Sequence, residues 1–348
     1  MTSFRNELTA RGLSSIALSL GIALILVAAC EGAVHLVRSP KALPFESTRT
    51  GTMAELALTQ VDARVDVAFI GSSQCVGAVS PREFTAEWEK LTGQHVTAIN
   101  MGVNGAVVRD IEAFHDVVVS RLKARTLVLL VGVPGAVDTG AGGVSHSYGM
   151  DWLRGDLGLV NDAVMRLWLF RYRRLWRDAR WQLYVGRTRS LAGDLARRTG
   201  PDGDGWVPTG MGFGVFAPKV DHGLSADTKP LWDHWQMPSD AIAAVRGTLL
   251  RATENGSRVI IVVPPLAPRA ARLYGDLAEC HAELRRGLTE ASRGLDVPLL
   301  DLHSPPGFSD AEFYDPFHVH GSAALPFSRL LADEMARSAA PPAPTAVP

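Results

Sequence analysis

A serine, an aspartate and a histidine stand in two short segments far apart in the chain. Gly71-Ser72-Ser73-Gln74 follows an apolar run at 65–70, and Asp315-Pro316-Phe317-His318 precedes an apolar helical stretch near the other end. A serine becomes a nucleophile when an adjacent base removes its proton, and that base needs a third group to orient it. The three residue types therefore predict acyl hydrolysis or acyl transfer, with either Ser72 or Ser73 as the attacking group.

The elements that must position these residues alternate in type along the chain. Continuous apolar runs are typical of buried parallel strands, and the stretches between them have helical periodicity. This alternation predicts a three-layer α/β/α sandwich, flavodoxin-like, with a mostly parallel sheet covered on both faces. The expected strands are 65–70, 96–101, 126–133, 258–264 and 297–302, and the expected helices are 81–91, 108–123, 238–255, 270–293 and 323–339.

The ends of the first two expected strands carry the most informative turns. Open α/β sheets bind ligands beyond the carboxyl ends of their strands, which is where Ser73 falls. The second strand runs into Asn100-Met101-Gly102-Val103-Asn104-Gly105. Closely spaced glycines allow backbone N–H groups to converge on an oxyanion, as acyl chemistry requires.

Length and composition narrow the classes of function. A chain of 348 residues can bury one large domain with an insertion, and its net charge of -1 offers no electrostatic footprint for nucleic acid. Cys30, Cys75 and Cys280 form neither a disulfide framework nor a CxxC metal pattern, although a single Cys75–Cys280 bridge could form. The only close histidine pair, His318 and His320, does not predict a shared metal. We therefore expect no metal and no cofactor.

The N-terminal region has the character of a targeting segment. Residues 13–37 are mostly apolar, and basic residues precede them. A bilayer span needs about 20 apolar residues, so this stretch predicts one transmembrane signal anchor, with 1–12 in the cytoplasm and the remainder outside. Two alternatives stay open: a cleaved signal peptide, and a lipoprotein signal in which Val27-Ala28-Ala29-Cys30 resembles a bacterial lipobox. In each interpretation the bulk of the chain lies outside the cytoplasm.

The remaining organisation divides into a linker, a domain and a tail. Residues 38–60 read as a polar linker, 61–338 as the α/β domain, and the Ala/Pro-rich 339–348 as disordered. The stretch 135–237 is too long for an α/β connection and is interpreted as an insertion. Its aromatic and arginine residues predict either a lid or platform that touches a glycan, lipid or membrane partner, or an amphipathic helix that packs on the domain.

Together, these motifs resemble the SGNH/GDSL hydrolase superfamily across residues 64–336, apart from the insertion. Three segments are similar to those of a membrane-anchored branch of this superfamily: Phe69-Ile70-Gly71-Ser72-Ser73, Val263-Pro264-Pro265 and Phe313-Tyr314-Asp315-Pro316-Phe317-His318. That branch includes proteins of D-alanyl transfer to teichoic acids and of alginate O-acetylation, which work beside membrane-bound O-acyltransferases.

The resemblance implies a role for each site residue. Ser73 matches the family's nucleophile, with Ser72 in the place of the motif's aspartate. His318 corresponds to the general base and Asp315 to its orienting carboxylate. The N–H groups of Gly105 and Ser73 would form the oxyanion hole.

One departure from the family pattern concerns the third block, Gly-x-Asn-Asp, which falls at Gly132-Val133-Pro134-Gly135. Pro134 replaces the asparagine that donates to the oxyanion, and losing one such donor typically costs about 100- to 1000-fold in rate. Asn104 or a group from the insertion could substitute for it.

The expected function is a membrane-anchored, extracytoplasmic serine esterase or O-acyltransferase. Its substrate would be an acyl ester, in particular an acetyl ester, of an envelope or exported polysaccharide, attacked through an acyl-serine. The alternative is a catalytically weak accessory protein that binds a glycan or a membrane-bound O-acyltransferase, or a structural component without turnover.

Overall fold

The structure is a computed structural model that describes residues 18–30, 32, 65–136, 234–274 and 276–339. The predicted linker, nearly all of the 135–237 insertion and the tail from residue 340 lie outside these ranges. Of the predicted span 13–37, only 18–30 and 32 are described; they are helical, and their apolar side chains, such as Leu18 and Ile25, are exposed. Within the described ranges, no helix is both long and apolar enough to cross a membrane.

The described domain is built on a sheet of five parallel strands. The strand order is β2-β1-β3-β4-β5. The second strand is therefore added on one side of β1, and the third, fourth and fifth strands follow on its other side. Helices cover both faces, which confirms the predicted α/β fold with a parallel sheet. The strands are β1 (Val67–Gly71), β2 (Ala98–Asn100), β3 (Thr126–Leu130), β4 (Arg258–Val263) and β5 (Leu299–Asp301).

Eight helices are described around this sheet, together with two short 3₁₀ turns at Val119–Leu122 and Asp310–Glu312. They are α1 (Ser73–Ala78), α2 (Pro81–Thr92), α3 (Val108–Val117), α4 (Val133–Ala136), α5 (Ser239–Glu254), α6 (Pro268–Tyr274), α7 (Leu277–Ala291) and α8 (Gly321–Ala339).

The sheet separates two apolar cores because successive strand side chains point to opposite faces. Ala68 and Ile70 of β1 belong to the core that also contains buried residues of α3, α5 and α7. Val67 and Phe69 belong to the other core, with residues of α1, α2 and α8. The helices on the two faces and the sheet between them form the three layers of the fold. Both cores reach the strand ends where the candidate site lies.

A buried asparagine at the end of β2 ties this strand to α1. The Asn100 side chain donates to the carbonyl oxygens of Cys75 and Val79 at 2.8 Å each and accepts from the N–H of Gly102 at 3.0 Å. Asn100 is fully buried, so losing any of these bonds would leave polar atoms unsatisfied. Its amide therefore holds α1 against the turn that follows β2.

Several predicted boundaries differ from the observed ones. The helix expected at 270–293 is two helices, α6 and α7, and the sequence between them contains Gly275-Asp276, which disfavours helix. The strand expected at 126–133 ends at Leu130, because Val133 begins the short helix α4. Cys75 and Cys280 form no disulfide with each other and lie in opposite cores, so the bridge considered from the sequence is absent.

Candidate active site

The two adjacent serines after β1 have different partners. Ser72 is the N-cap of α1, and its hydroxyl accepts a hydrogen bond from the N–H of Gln74 at 3.4 Å. Ser73 is the first residue of α1, is half-buried, and directs its Oγ at the Nε2 of His318, 2.7 Å away. Ser72 thus caps the helix, whereas Ser73 is the serine whose hydroxyl meets an imidazole.

The Asp315 and His318 side chains share one tight loop. Residues Phe313 and Val319 form an antiparallel bridge at its base. Both oxygens of the Asp315 carboxylate lie close to His318 Nδ1, Oδ2 at 2.7 Å and Oδ1 at 2.9 Å. The N–H groups of Phe317 and His318 also donate to Oδ1, each at 2.8 Å. The carboxylate is therefore held from the backbone and the side chain at once.

The hydrogen bonds around Asp315 favour the ionised form of its carboxylate. Burial alone would raise the pKa of Asp315, but hydrogen bonding to His318, the charge of His318 and the two backbone donors lower it below the ordinary value. An ionised carboxylate only accepts, so Nδ1 of His318 is the donor to Asp315, and in a neutral imidazole the lone pair of Nε2 would face the Ser73 hydroxyl. Chemically, the arrangement can draw the proton from Ser73 Oγ.

Gln74 connects the nucleophile segment to the histidine loop. Its Nε2 donates to the carbonyl oxygen of Phe317 at 3.1 Å, and its side chain is buried. A Cβ at Gly132 would collide with Gln74 Oε1, so the glycine leaves room for the Gln74 amide where it now lies. Oε1 is itself buried and has no hydrogen-bond partner in the part of the chain described. The sequence motif included Gln74 but did not predict this contact.

The glycine turn predicted to bind an oxyanion lies next to this site. The N–H of Val103 donates to the carbonyl oxygen of Gly71 at 2.8 Å, which binds the turn to the end of β1. Asn104 and Gly105 are exposed, and Gly105 has a positive φ of 70° that favours glycine. The structure thus places both residues at the same edge of the sheet as Ser73, and their part in an oxyanion hole stays a prediction.

The segment that contains Pro134 also borders the two serines. A Cβ on Gly135 would lie 3.5 Å from Ser72 Oγ, so α4 sits against the cap of α1. The N–H groups of Gly135 and Ala136 both donate to the carbonyl oxygen of Gly132, at 3.0 and 3.2 Å. Since Pro134 has neither an N–H nor a polar side chain, these three residues offer no donor to an oxyanion.

A second histidine–aspartate cluster, which the sequence analysis did not predict, lies at the end of β5. His281 Nε2 is 3.0 Å from Asp301 Oδ2, His303 Nδ1 is 3.3 Å from Asp301 Oδ1, and the two rings stack with centroids 3.6 Å apart. One ligand atom from each residue lies within 4.8 Å of the others, a spacing that could hold a metal ion. Asp301-Leu302-His303 was the available signal, because alternate residues of an extended segment share a face.

Opposing effects set the ionisation of this second cluster. Burial lowers the pKa of His281, and the charge of His303 lowers it further. Burial would raise the pKa of Asp301, but the charge and hydrogen bond of His281, with contributions from His303, lower it below its ordinary value. The carboxylate is therefore ionised, and burial favours the neutral form of His281.

Comparison with known proteins gives limited overlap. No protein-family model and no curated protein matches the sequence. A lipase/acylhydrolase structure from Enterococcus faecalis has a TM-score of 0.40 and 13% identity, covering 79% of this chain and 96% of that one. The lipase Lip_vut3 from a goat rumen metagenome has a TM-score of 0.37 and 11% identity, covering 77% of this chain and 97% of that one. Likeness at this level carries no argument about the activity of this chain.

Proposed function

We propose that the chain is a serine esterase or O-acyltransferase of the SGNH/GDSL type. One observation carries this proposal: Ser73 Oγ, His318 and the Asp315 carboxylate form a continuous line of contacts at 2.7 Å each. A nucleophile, a base and an orienting carboxylate in this order are what nucleophilic acyl chemistry requires.

The proposed reaction has two acyl-transfer steps. His318 Nε2 takes the proton of Ser73 as Ser73 Oγ attacks the carbonyl carbon of an acyl ester, and it returns that proton to the oxygen of the departing alcohol. This leaves an acyl group on Ser73. An acceptor then loses its proton to His318 and attacks the acyl carbon, which regenerates Ser73. Water as acceptor gives hydrolysis, whereas a sugar hydroxyl gives O-acylation.

The oxyanion of each tetrahedral intermediate needs hydrogen-bond donors. We assign this role to the backbone N–H groups of Ser73 and Gly105, with Asn104 as a side-chain donor from the same turn. Pro134, Gly135 and Ala136 offer no such group. Since one oxyanion donor is typically worth about 100- to 1000-fold in rate, we expect slower turnover than in an enzyme with a third donor.

We further propose an envelope glycan as the substrate or acceptor and a membrane as the site of action. The glycan follows from the resemblance of the sequence motifs to the polysaccharide-acylating branch. Support for the membrane is the apolar run at 13–37 and the exposed apolar side chains of residues 18–27. A membrane-bound O-acyltransferase would then be a natural partner, with the α/β domain outside the cytoplasm. Lipidation of Cys30 would be a second way to hold the chain there.

A fluorophosphonate probe tests the proposed nucleophile, because it phosphonylates an activated serine. We expect labelling of the purified wild-type protein and loss of labelling in Ser73→Ala. Ser72→Ala is the matched control: it removes the neighbouring hydroxyl, whose observed contact is the cap of α1, and it should still be labelled. Equal labelling of Ser73→Ala and wild type would show that another residue reacts.

The second candidate function is a catalytically weak accessory protein that binds a glycan or an acyltransferase. Pro134 is the observation that favours it. Under conditions where a control hydrolase reacts, this candidate predicts no labelling of the wild-type protein and saturable binding to acetylated polysaccharide. It also predicts that Pro134→Asn, which supplies an amide donor, increases labelling.

A further inference from the structure

We propose that His281, Asp301 and His303 form a binding site for one divalent metal ion of the zinc class. These residues take no part in the line from Ser73 to Asp315, so the proposal does not depend on the proposed function. The residues come from three places in the fold: the middle of α7, the last position of β5, and the loop that follows it.

The donor set has the chemistry that zinc prefers. Two imidazole nitrogens and one carboxylate are a known three-ligand combination for zinc, with a fourth position left for water. Two ligands of one tetrahedral zinc ion lie about 3.3 Å apart, given Zn–N and Zn–O bonds of about 2.0–2.1 Å. His281 Nε2 lies 3.0 Å from Asp301 Oδ2 and His303 Nδ1 lies 3.3 Å from Asp301 Oδ1, and one ligand atom from each of the three residues lies within 4.8 Å of the others. Small side-chain rotations would therefore bring these atoms around an ion.

The backbone holds the cluster in place and leaves one side open. The N–H of Leu302 donates to the carbonyl oxygen of Val263 at 3.0 Å, and the carbonyl oxygen of His303 accepts from the N–H of Leu266 at 3.0 Å. His281 is buried on α7, whereas the His303 side chain is 40% exposed. An ion could therefore enter past His303, on the exposed side of the cluster.

One basic side chain competes with a metal for the carboxylate. Arg285 Nε lies 3.1 Å from Asp301 Oδ2, and its side chain is 56% exposed. A side chain this exposed can turn into solvent when an ion binds. Arg285 should therefore weaken the binding of a cation without preventing it, and removing its charge should increase the affinity.

The surroundings of His281 limit the affinity in a second way. A histidine that binds metal through one nitrogen normally donates the other N–H to a nearby acceptor, and loss of such a partner typically costs about 10- to 100-fold in affinity. His281 Nδ1 is buried and has no hydrogen-bond partner within the described residues. We therefore expect a dissociation constant in the micromolar range.

Isothermal titration with zinc chloride tests the site in the full-length, tag-free protein after treatment with EDTA. We expect one zinc ion per chain, and cobalt(II) at the same stoichiometry should give the visible absorption of a tetrahedral site. Asp301→Asn and His303→Ala should each weaken binding at least about tenfold. Arg285→Gln should strengthen it, a change that a purely structural ion pair would not produce.

His95→Ala serves as the matched control, since His95 is exposed and its ring contacts Glu89 at 3.2 Å, away from the cluster. It should bind zinc as the wild type does. Circular dichroism checks that each variant is folded, and His303→Gln replaces His303→Ala if the latter is not. The absence of a saturable site in the wild type would overturn the proposal, and so would unchanged binding in folded Asp301→Asn and His303 variants.

Discussion

Two histidine–aspartate clusters lie at the carboxyl edge of the same sheet, and they differ in what the imidazole meets beyond the carboxylate. In one, the ring of His318 lies between Asp315 and the Ser73 hydroxyl. In the other, His281 and His303 both face Asp301, and Arg285 joins them. Both carboxylates have a lowered pKa, so ionisation of the acid does not distinguish them.

The difference teaches that the third group decides the chemistry. A neutral imidazole whose outer nitrogen faces a hydroxyl can remove its proton, which makes a base. Two imidazoles that converge on one carboxylate instead present a donor set for a cation. We therefore propose catalysis for these two residue types at one place and metal binding at the other.

The largest expected effect is the loss of acyl turnover in His318→Ala. Removing the base should lower kcat for p-nitrophenyl acetate by roughly 10⁴-fold, because Ser73 would have no proton acceptor. The same variant should bind zinc with wild-type stoichiometry, as His318 is not part of the second cluster. His95→Ala should retain both properties. Unchanged turnover in His318→Ala would contradict the catalytic assignment, and loss of zinc binding would show that the two clusters are coupled.

A smaller effect is expected in Gln74→Met, which keeps the side-chain length and removes the donor to the Phe317 carbonyl. Losing a hydrogen bond of about 1 kcal/mol that positions the His318 loop should lower kcat about five- to tenfold. KM should be unchanged, because Gln74 contacts the loop rather than substrate. Steady-state kinetics separates the two parameters. A raised KM with unchanged kcat would instead place Gln74 in the substrate site.

The smallest effect concerns stability at acid pH. Because the pKa of Asp315 is lowered by folding, the unfolded chain binds its proton more readily, and the ionised form stabilises the fold. This contribution is fully present above the ordinary aspartate pKa of about 3.9 and is lost as the pH falls through the lower folded value. Urea denaturation should therefore show Asp315→Asn to be less stable than wild type at pH 7, with a smaller gap at pH 3. A gap that does not change with pH would contradict this linkage.

The strand and helix pattern was predictable because each element carries its own signal. β3 and β4 lie inside the sheet, and their apolar runs cover both observed strands in full, although the run at 126–133 continues three residues beyond β3. β2 and β5 are the edge strands and are shorter than predicted, at three residues each. An edge strand has only one neighbour to bond with, so apolar residues extend beyond the paired part.

Within the candidate site, sequence spacing was informative where the contact is local. Asp315 and His318 are three residues apart, and a turn suffices to bring the carboxylate to the ring. The choice between Ser72 and Ser73 depends on which hydroxyl caps α1 and which faces a loop 245 residues away in sequence. No local pattern contains that information.

By itself, the sequence determined the alternation of strands and helices, the glycine turns and the local Asp315–His318 pair, because these depend on neighbouring residues. Only the tertiary structure decided that Ser73 meets His318, that Gln74 bridges to Phe317, and that His281 joins Asp301 and His303. Each of these contacts joins side chains from separate elements, and their approach is set by strand order and helix packing. The serine and imidazole of the opening motifs become one site for that reason.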